Sequence, residues 1–342
     1  MHRRSGHRTL ARIAALTLCL ASIVGAAAAQ SGRRPPPRPQ TDTQGNPDAD
    51  VQLGTQEVLL SVSVRDSNGR PVIGLSGDDF IIAEDRVRQQ LTSFRESEVP
   101  VHVVLLLDAS GSVFSELGSI RKAAESFVSA LGPEDEVSVI QFAQKVELLQ
   151  DWTTDREAIQ HALDWRYKGG EATCFWDGVF LAADEQVRKV EGRRAIIILS
   201  DGVDTSSKVS QAQAVAALDK SGATVFVVSK AQALIERIKP YAGKAGTLTG
   251  SSRPAREAIE SRSAAQETVR ALADRYGGRL FAPITDADLA TAYGDVAKEL
   301  KQQYVVTYVS TNDTRDKHWR SIEIYSTRPG LTVRTRKGYV VE

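Results

Sequence analysis

VHVVLLLDASGS, residues 101–112, joins a nearly all-apolar run to a tight polar loop. The run Val101–Leu107 is typical of a central parallel strand that is buried on both faces. In open α/β sheets, ligands bind outside the carboxyl ends of such strands, where the strand order reverses. The loop that follows carries Asp108, Ser110 and Ser112. The stretch therefore predicts a buried strand that delivers oxygen ligands to a binding site.

The rest of the central region alternates between strand and helix. Apolar runs of strand length occur at Val137–Phe142, Ala195–Leu199 and Thr224–Ser229. The spacing of apolar residues predicts helices between and after these strands. The helices expected are residues 115–131, 156–165, 175–190, 211–220, 267–276 and 286–302. This alternation predicts an α/β fold, with a doubly wound, mostly parallel sheet of Rossmann-like type and helices on both faces.

This α/β region, residues 98–302, lies between two segments with β patterning, residues 51–97 and 303–342. Each flank contains three short strand-like runs, and three strands alone cannot bury their apolar face. We therefore predict that the flanks pair into one small antiparallel β-sandwich, into which the α/β domain is inserted. Independent β-appendages at the two ends are the alternative. Within the α/β region, residues 231–263 are rich in Lys, Gly, Ser and Arg and predict a flexible, partly helical surface insertion.

The N-terminus predicts export. Residues 1–29 combine a basic head, an apolar stretch and the small residues Ala26–Ala29, which is the pattern of a cleaved secretory signal peptide. Residues 30–50 are rich in Pro and polar residues and predict a disordered linker. The apolar stretch is short for a membrane span. We therefore expect a secreted or periplasmic protein with no integral membrane span after cleavage; a retained N-terminal anchor is the alternative.

Charge and cysteine content exclude several classes of function. The 342 residues include 43 Lys+Arg and 43 Asp+Glu, so the formal net charge is zero. This balance provides no field that would attract nucleic acid, and no nucleic-acid partner is expected. Cys19 and Cys174 are too few for a disulfide framework. Cys174 has no nearby His and is expected to be a packed residue rather than a nucleophile.

Two further segments extend the polar loop into a predicted metal site. The glycine loop at residues 169–173 ends in a threonine, and an aspartate follows the strand at 195–199. Because adjacent parallel strands lie ~4.8 Å apart, ligands from neighbouring strand ends can reach one ion. Hard oxygen ligands favour Mg²⁺, with Mn²⁺ and Ca²⁺ as alternatives, and disfavour zinc. The predicted ligands are Asp108, Ser110, Ser112, Thr173 and Asp201.

The order of these motifs resembles the von Willebrand factor type A family. Its metal-ion-dependent adhesion site uses Asp-x-Ser-x-Ser, a later Thr and a later Asp, and all five positions match over about residues 98–300. The resemblance implies that serines and threonine bind the ion directly or through water. It also implies a sixth position that stays open for an Asp or Glu of a protein partner. Ala172, with Glu171 beside it, departs from the glycine or small residue that many members have before the threonine.

The flanking sequences resemble a bacterial subgroup, the VWFA-related acidobacterial proteins. The resemblance lies in VRDSNGRPVIGLSGDDFIIAEDRVRQQLTSF, residues 64–94, and in the strands from YVVTYVS, residues 304–310, onward. Members of this subgroup generally carry a signal peptide, which agrees with the interpretation of residues 1–29. The resemblance implies an exported bacterial protein.

These features predict a protein that binds a partner through its metal ion and is not an enzyme. Two carboxylates approximately neutralise Mg²⁺, which makes the ion a poor activator of water. A structural scaffold of an envelope assembly is one alternative. The other is a metal-assisted hydrolase with Glu171 or Asp204 as general base, although the sequence has no HExxH or Walker motif. We expect Asp204 and its neighbours to cap the helix that begins near Val209.

Overall fold

The computed structural model describes residues 57–96, 99–242 and 252–341. The predicted signal peptide and linker, residues 1–50, lie outside these residues. The strands are β1 Glu57–Arg65, β2 Phe80–Glu84, β3 Val87–Gln89, β4 Leu91–Glu96, β5 Val101–Asp108, β6 Glu136–Phe142, β7 Val146–Thr153, β8 Arg193–Ser200, β9 Thr224–Ser229, β10 Leu280–Phe281, β11 Tyr304–Val309, β12 Trp319–Ser326, β13 Thr332–Arg334 and β14 Gly338–Val340. The helices are α1 Leu117–Ala130, α2 Arg156–Trp165, α3 Phe175–Phe180, α4 Gln211–Ser221, α5 Ala231–Ala242, α6 Ser252–Arg275 and α7 Asp286–Lys301.

A six-stranded sheet in the order β10-β9-β8-β5-β6-β7 forms the centre of the α/β region. Its strands run parallel except β7, which is antiparallel to β6. Successive side chains of β5 point to opposite faces, and both faces are covered. Val103 and Leu105 pack with α1, α2 and α7, whereas Val104 and Leu106 pack with α3, α4 and α6. The predicted doubly wound, mostly parallel sheet is confirmed.

The strand order reverses between β5 and β8. The chain passes from β5 to β6 on one side, and it later returns to β8 on the other side of β5. Leu107 of β5 is in register with Leu199 of β8, so the two strands end together. Asp108 and Ser200 therefore lie side by side at the switch point of the sheet, where open α/β folds bind ligands.

The two flanks form two four-stranded antiparallel sheets that share one core. One sheet has the order β13-β1-β11-β4 and the other the order β14-β12-β2-β3. Strands from the N-terminal flank pair with strands from the C-terminal flank in both, as β1 does with β11 and β2 with β12. Leu60, Val62, Phe80, Tyr304 and Val306 belong to the apolar cluster that the sheets enclose. The predicted sandwich is confirmed, and independent appendages are wrong.

A buried polar network spans both sheets of the sandwich. Glu84 of β2 and Arg320 of β12 form an ion pair of 3.3 Å, and both side chains are almost fully buried. The Glu84 carboxylate also accepts hydrogen bonds from Tyr308 at 2.6 Å, Ser310 at 2.5 Å and Tyr339 at 3.0 Å. Because Tyr308 lies on the opposite sheet, Glu84 links the two halves of the sandwich.

The segment predicted as a flexible insertion is mostly helical in the described residues. Helix α5 buries Ala233, Leu234 and Ile235, and α6 begins at Ser252 rather than near Glu267. Apolar residues on one face of α6 pack against β9 and stabilise the helix. The first half of α6 is mostly polar, so the sequence pattern did not predict a helix there. Within the described residues, none of the helices combines the length and apolar character needed to cross a membrane.

Candidate metal centre

The Asp-x-Ser-x-Ser loop turns sharply at the end of β5. Asp108 is fully buried, and its Oδ1 accepts a hydrogen bond of 2.8 Å from the N–H of Ser110. The Oγ atoms of Ser110 and Ser112 lie 3.1 Å apart. The loop passes close to the glycine loop, because a Cβ at Gly111 would be in van der Waals contact, at 3.4 Å, with the carbonyl oxygen of Glu171. The loop therefore presents one carboxylate and two hydroxyls from a compact turn.

The end of β8 brings the second carboxylate to this loop. The Oγ of Ser200 donates a hydrogen bond of 2.6 Å to Oδ2 of Asp108 and accepts one of 2.9 Å from the N–H of Gly202. Asp201 is 2% exposed, and its Oδ1 accepts a hydrogen bond of 3.1 Å from the N–H of Val203. The hydroxyl of Ser112 is near the Asp201 carboxylate and acts to lower its pKa. Both carboxylates thus meet across the switch point.

Thr173 lies on a third loop that is joined to the other two through its backbone. The N–H of Gly170 donates a 2.7 Å hydrogen bond to the carbonyl oxygen of Ala109, and the N–H of Thr173 donates one of 2.9 Å to Oγ1 of Thr205. A Cβ on Gly170 would collide with Ala143 and Gln144. Hydrogen bonds connect Asp108 to Ser110 and Ser110 to Ser112, whereas the Thr173 loop is connected to the other two loops through its backbone.

Burial dominates the electrostatics of the two carboxylates. It raises the pKa of Asp108 to about 6, with a further contribution from the charge of Asp201, while hydrogen bonds from Ser110 and Ser200 oppose the rise. Burial also raises the pKa of Asp201, against the effects of the Val203 N–H, Arg262 and Ser112. Ionisation of both buried carboxylates at one place is costly, and a bound cation would offset that cost.

The residues present fit a hard divalent cation. Oδ2 of Asp201 is inaccessible to solvent and accepts no hydrogen bond from a described residue. The side chains around it offer carboxylate and hydroxyl oxygens, which suit Mg²⁺, Mn²⁺ or Ca²⁺. The described residues contain no group of three or more His, Cys, Asp or Glu that could hold a metal, so a metal site here would have to include the serine hydroxyls.

Comparison with known proteins identifies the fold that carries this cluster. Residues 102–255 match the family model for the von Willebrand factor type A domain, a segment that runs from β5 through the site into α6. The segment is a von Willebrand factor type A domain. No curated protein matches the chain. The match therefore identifies the VWA domain. Membership of the bacterial subgroup stays a prediction.

Several solved structures resemble the chain at low identity. The vWF domain of the type V pili tip protein Mfa5 from Porphyromonas gingivalis is 22% identical, with a TM-score of 0.30, over 33% of this chain and 43% of that chain. The PilB minor pilin from Streptococcus sanguinis is 11% identical, with a TM-score of 0.42, over 61% and 63%. The von Willebrand factor type A structure from Catenulispora acidiphila is 11% identical, with a TM-score of 0.38, over 84% and 74%. This chain spans less than two thirds of both pilus proteins.

Some residues of the VWA site had no signal in the sequence analysis. Ser200 contacts Asp108 directly, and the hydroxyl of Tyr167 donates a 2.5 Å hydrogen bond to the carbonyl oxygen of Asp108. Asp204 was assigned to the wrong helix: its Oδ1 accepts the N–H of Phe175 at the start of α3, whereas Ser210 caps α4. Long-range packing rather than local pattern determines these contacts.

Without divalent cations, Asp108 is expected to make the folded chain less stable as the pH rises. Its pKa is raised from 3.8 to about 6 on folding, so between these values the native state binds more protons than the unfolded state. Stability therefore falls as the pH rises through this window, by on the order of 3 kcal/mol. Urea unfolding in EDTA from pH 4 to 7 measures this, as the difference between the wild type and Asp108→Asn. A difference that is independent of pH would contradict it.

Proposed function

We propose that this exported VWA protein binds a divalent cation and uses it to recognise an acidic group on a protein partner. The proposed ion is Mg²⁺, with Mn²⁺ or Ca²⁺ as alternatives, and the proposed ligands are Asp108, Ser110, Ser112, Thr173 and Asp201. The observation that carries the proposal is the buried cluster of carboxylates and hydroxyls at the switch point of the sheet. Export rests on the predicted signal peptide, residues 1–29.

The charge of the cluster favours recognition over catalysis. Two carboxylates balance most of the charge of a divalent ion, and such an ion supplies a coordination position for a ligand rather than strong activation of water. Two of the side chains that a hydrolase could use, Asp204 and Cys174, are unsuited to catalysis. Asp204 caps α3 through its Oδ1. Burial raises the pKa of the Cys174 thiol to about 11, which leaves it protonated at neutral pH.

The rim of the site offers an apolar contact for a partner. Phe114, two residues after Ser112, is 64% exposed. Its ring covers Gly169, where a Cβ would come within 2.5 Å of the Phe114 side chain. An exposed aromatic ring beside a metal position is the kind of anchor that contributes strongly to protein–protein interfaces. The proposed interface therefore combines a metal–carboxylate contact with an aromatic contact.

The double variant Ser110→Ala/Ser112→Ala is expected to weaken Mg²⁺ binding more than about tenfold and to abolish partner capture. It removes two hydroxyl ligands but leaves both carboxylates, so the site keeps its charge and loses its coordination geometry. Calorimetric titration with MgCl₂ measures the first effect. The second is measured by capture of proteins from a bacterial envelope extract on the immobilised chain, in Mg²⁺ and in EDTA.

Ser115→Ala provides the matched control, because Ser115 is an exposed serine on the same 3-10 segment, Gly111–Glu116. Proteins that are lost in EDTA and with the double variant, but retained with Ser115→Ala, are the metal-dependent partners. If the chain binds Mg²⁺ but captures the same proteins in EDTA, the ion only holds loops together and the scaffold alternative is correct.

A further inference from the structure

The helical pair α5 and α6 packs directly on the loops that carry the proposed metal ligands. Gly202, next to Asp201, has a φ of +78°, and a Cβ there would lie 2.9 Å from Cγ1 of Val269 and 3.3 Å from the carbonyl oxygen of Ala265. Both of these residues are on α6. The Asp201 loop and α6 therefore meet without space for any side chain at position 202.

The same helical pair is tied to the Asp-x-Ser-x-Ser loop. Glu116, at the end of the 3-10 segment that begins at Gly111, forms an ion pair of 2.5 Å with Arg237 of α5. It forms another of 2.6 Å with Lys230, which is almost fully buried just before α5. Helices α5 and α6 pack against each other, so the pair contacts the loops of both carboxylates.

Arg262 of α6 brings a positive charge to the proposed metal ligand Asp201. Its Nε lies 3.3 Å from Oδ2 of Asp201, and the two side chains are 18% and 2% exposed. Neither of these two atoms has a hydrogen-bond partner among the described residues, although both are inaccessible to solvent. The contact is therefore an attraction between charges without the directed, bidentate geometry that arginine normally forms with a carboxylate.

We propose that Arg262 sets the affinity of the site for its divalent cation by acting as an internal counter-charge on Asp201. This inference rests on the proposed metal-binding function. In the metal-free protein, the guanidinium compensates a buried carboxylate that otherwise lacks a cation. When the ion binds, two positive groups share Asp201, and the guanidinium has to move away or tolerate repulsion. Arg262 thus lowers metal affinity while it stabilises the metal-free fold.

The weak geometry of the contact suits this role. Within the part of the chain that the structure describes, the guanidinium also donates a 3.3 Å hydrogen bond from one terminal nitrogen to the carbonyl oxygen of Ala258, one turn earlier on the same helix. Movement of the side chain away from Asp201 therefore breaks no directed hydrogen bond to the metal loops. Its cost is the lost attraction between charges, which the incoming ion replaces.

Arg262→Met tests the inference because it removes the charge and keeps an unbranched apolar stem that favours helix. Titration with MgCl₂ alone is expected to show affinity about tenfold higher than wild type, at the lower end of the ~10–100-fold effects of groups that contact metal ligands. In EDTA the same variant is expected to melt at a lower temperature than wild type, because Asp201 loses its counter-charge. A side chain with a merely structural role would not produce these opposite effects.

Three further variants test whether the charge of Arg262 causes the change in affinity. Arg262→Gln, a second neutral replacement, must reproduce the tighter binding, and Arg262→Lys, which keeps the charge, must stay near wild type. Arg270→Met removes an exposed charge from the same helix and must also stay near wild type. If wild type binds Mg²⁺ and both neutral variants bind it equally or more weakly, the role of Arg262 is refuted and the metal site stands. If neither wild type nor Arg262→Met binds Mg²⁺, both proposals fail.

Discussion

Asp108→Asn is expected to lose Mg²⁺ binding, with a dissociation constant raised by more than about 100-fold, beyond the range seen for groups that only contact metal ligands. The amide keeps the shape of the side chain and can still accept the N–H of Ser110, which Oδ1 of Asp108 accepts at 2.8 Å. It cannot supply the negative charge that a hard cation needs. Calorimetric titration of the purified variant with MgCl₂ measures the effect.

The loss of binding should not come from unfolding. Asp108 is fully buried, and burial raises its pKa to about 6, so its charge is a cost to the metal-free fold at neutral pH. Removal of that charge is expected to leave the variant as stable as wild type in EDTA, or more stable. Wild type should gain stability on addition of Mg²⁺, whereas the variant should gain none.

Asp135→Asn provides a matched control at the opposite edge of the sheet, because Asp135 directly precedes β6. Asp135 is also buried and accepts the N–H of Val101 at 3.0 Å, yet it lies at the amino end of β5, away from the proposed site. This variant is expected to bind Mg²⁺ like wild type. Retention of wild-type affinity by Asp108→Asn, or an equal loss in Asp135→Asn, would refute the assignment of Asp108 as a ligand.

The sequence predicts the central fold and most of the candidate site because both depend on local pattern. Apolar runs such as Val101–Leu107 identify buried parallel strands, and residues directly after them lie at the binding edge. Asp108, Ser110 and Asp201 could therefore be placed together without knowledge of tertiary contacts. The sandwich was predictable for a related reason, since two sets of strands that each lack a covered face must find a partner.

Contacts that depend on packing between distant elements could not be predicted in this way. Ser200 reaches Asp108 because β5 and β8 are in register at Leu107 and Leu199, and no local pattern specifies that register. Arg262 lies in a polar segment whose single buried face is weak in the sequence, so α6 was predicted too short. Its approach to Asp201 follows from the packing of α6 on Gly202, which the sequence does not indicate.

Glu84→Ala is expected to destabilise the chain by about 3–5 kcal/mol, the cost of leaving one partner of a buried ion pair uncompensated. Arg320 is 2% exposed and would keep its charge in the core of the sandwich. The hydroxyls of Tyr308 and Tyr339, which donate to Glu84 from two different strands, would also lose their acceptor. Urea unfolding followed by circular dichroism measures the change in free energy.

Glu323→Ala provides the control, since Glu323 is exposed on β12, the strand that carries Arg320, and its removal is expected to change stability little. Loss of less than about 1 kcal/mol with Glu84→Ala would contradict the role of the network.

The destabilisation caused by Glu84→Ala should extend beyond the sandwich, because β1 forms an ion pair with a buried carboxylate of the α/β domain. Glu299 of α7 is 3% exposed and accepts Arg65 of β1 at 2.6 Å and Arg279 at 2.8 Å. If the sandwich unfolded alone, Glu299 would lose one of these two cations in a buried position. We therefore expect the sandwich and the VWA domain to unfold together, so that Glu84→Ala shifts one transition. Two separate transitions in the variant would show that the inserted domain is stable without its flanks.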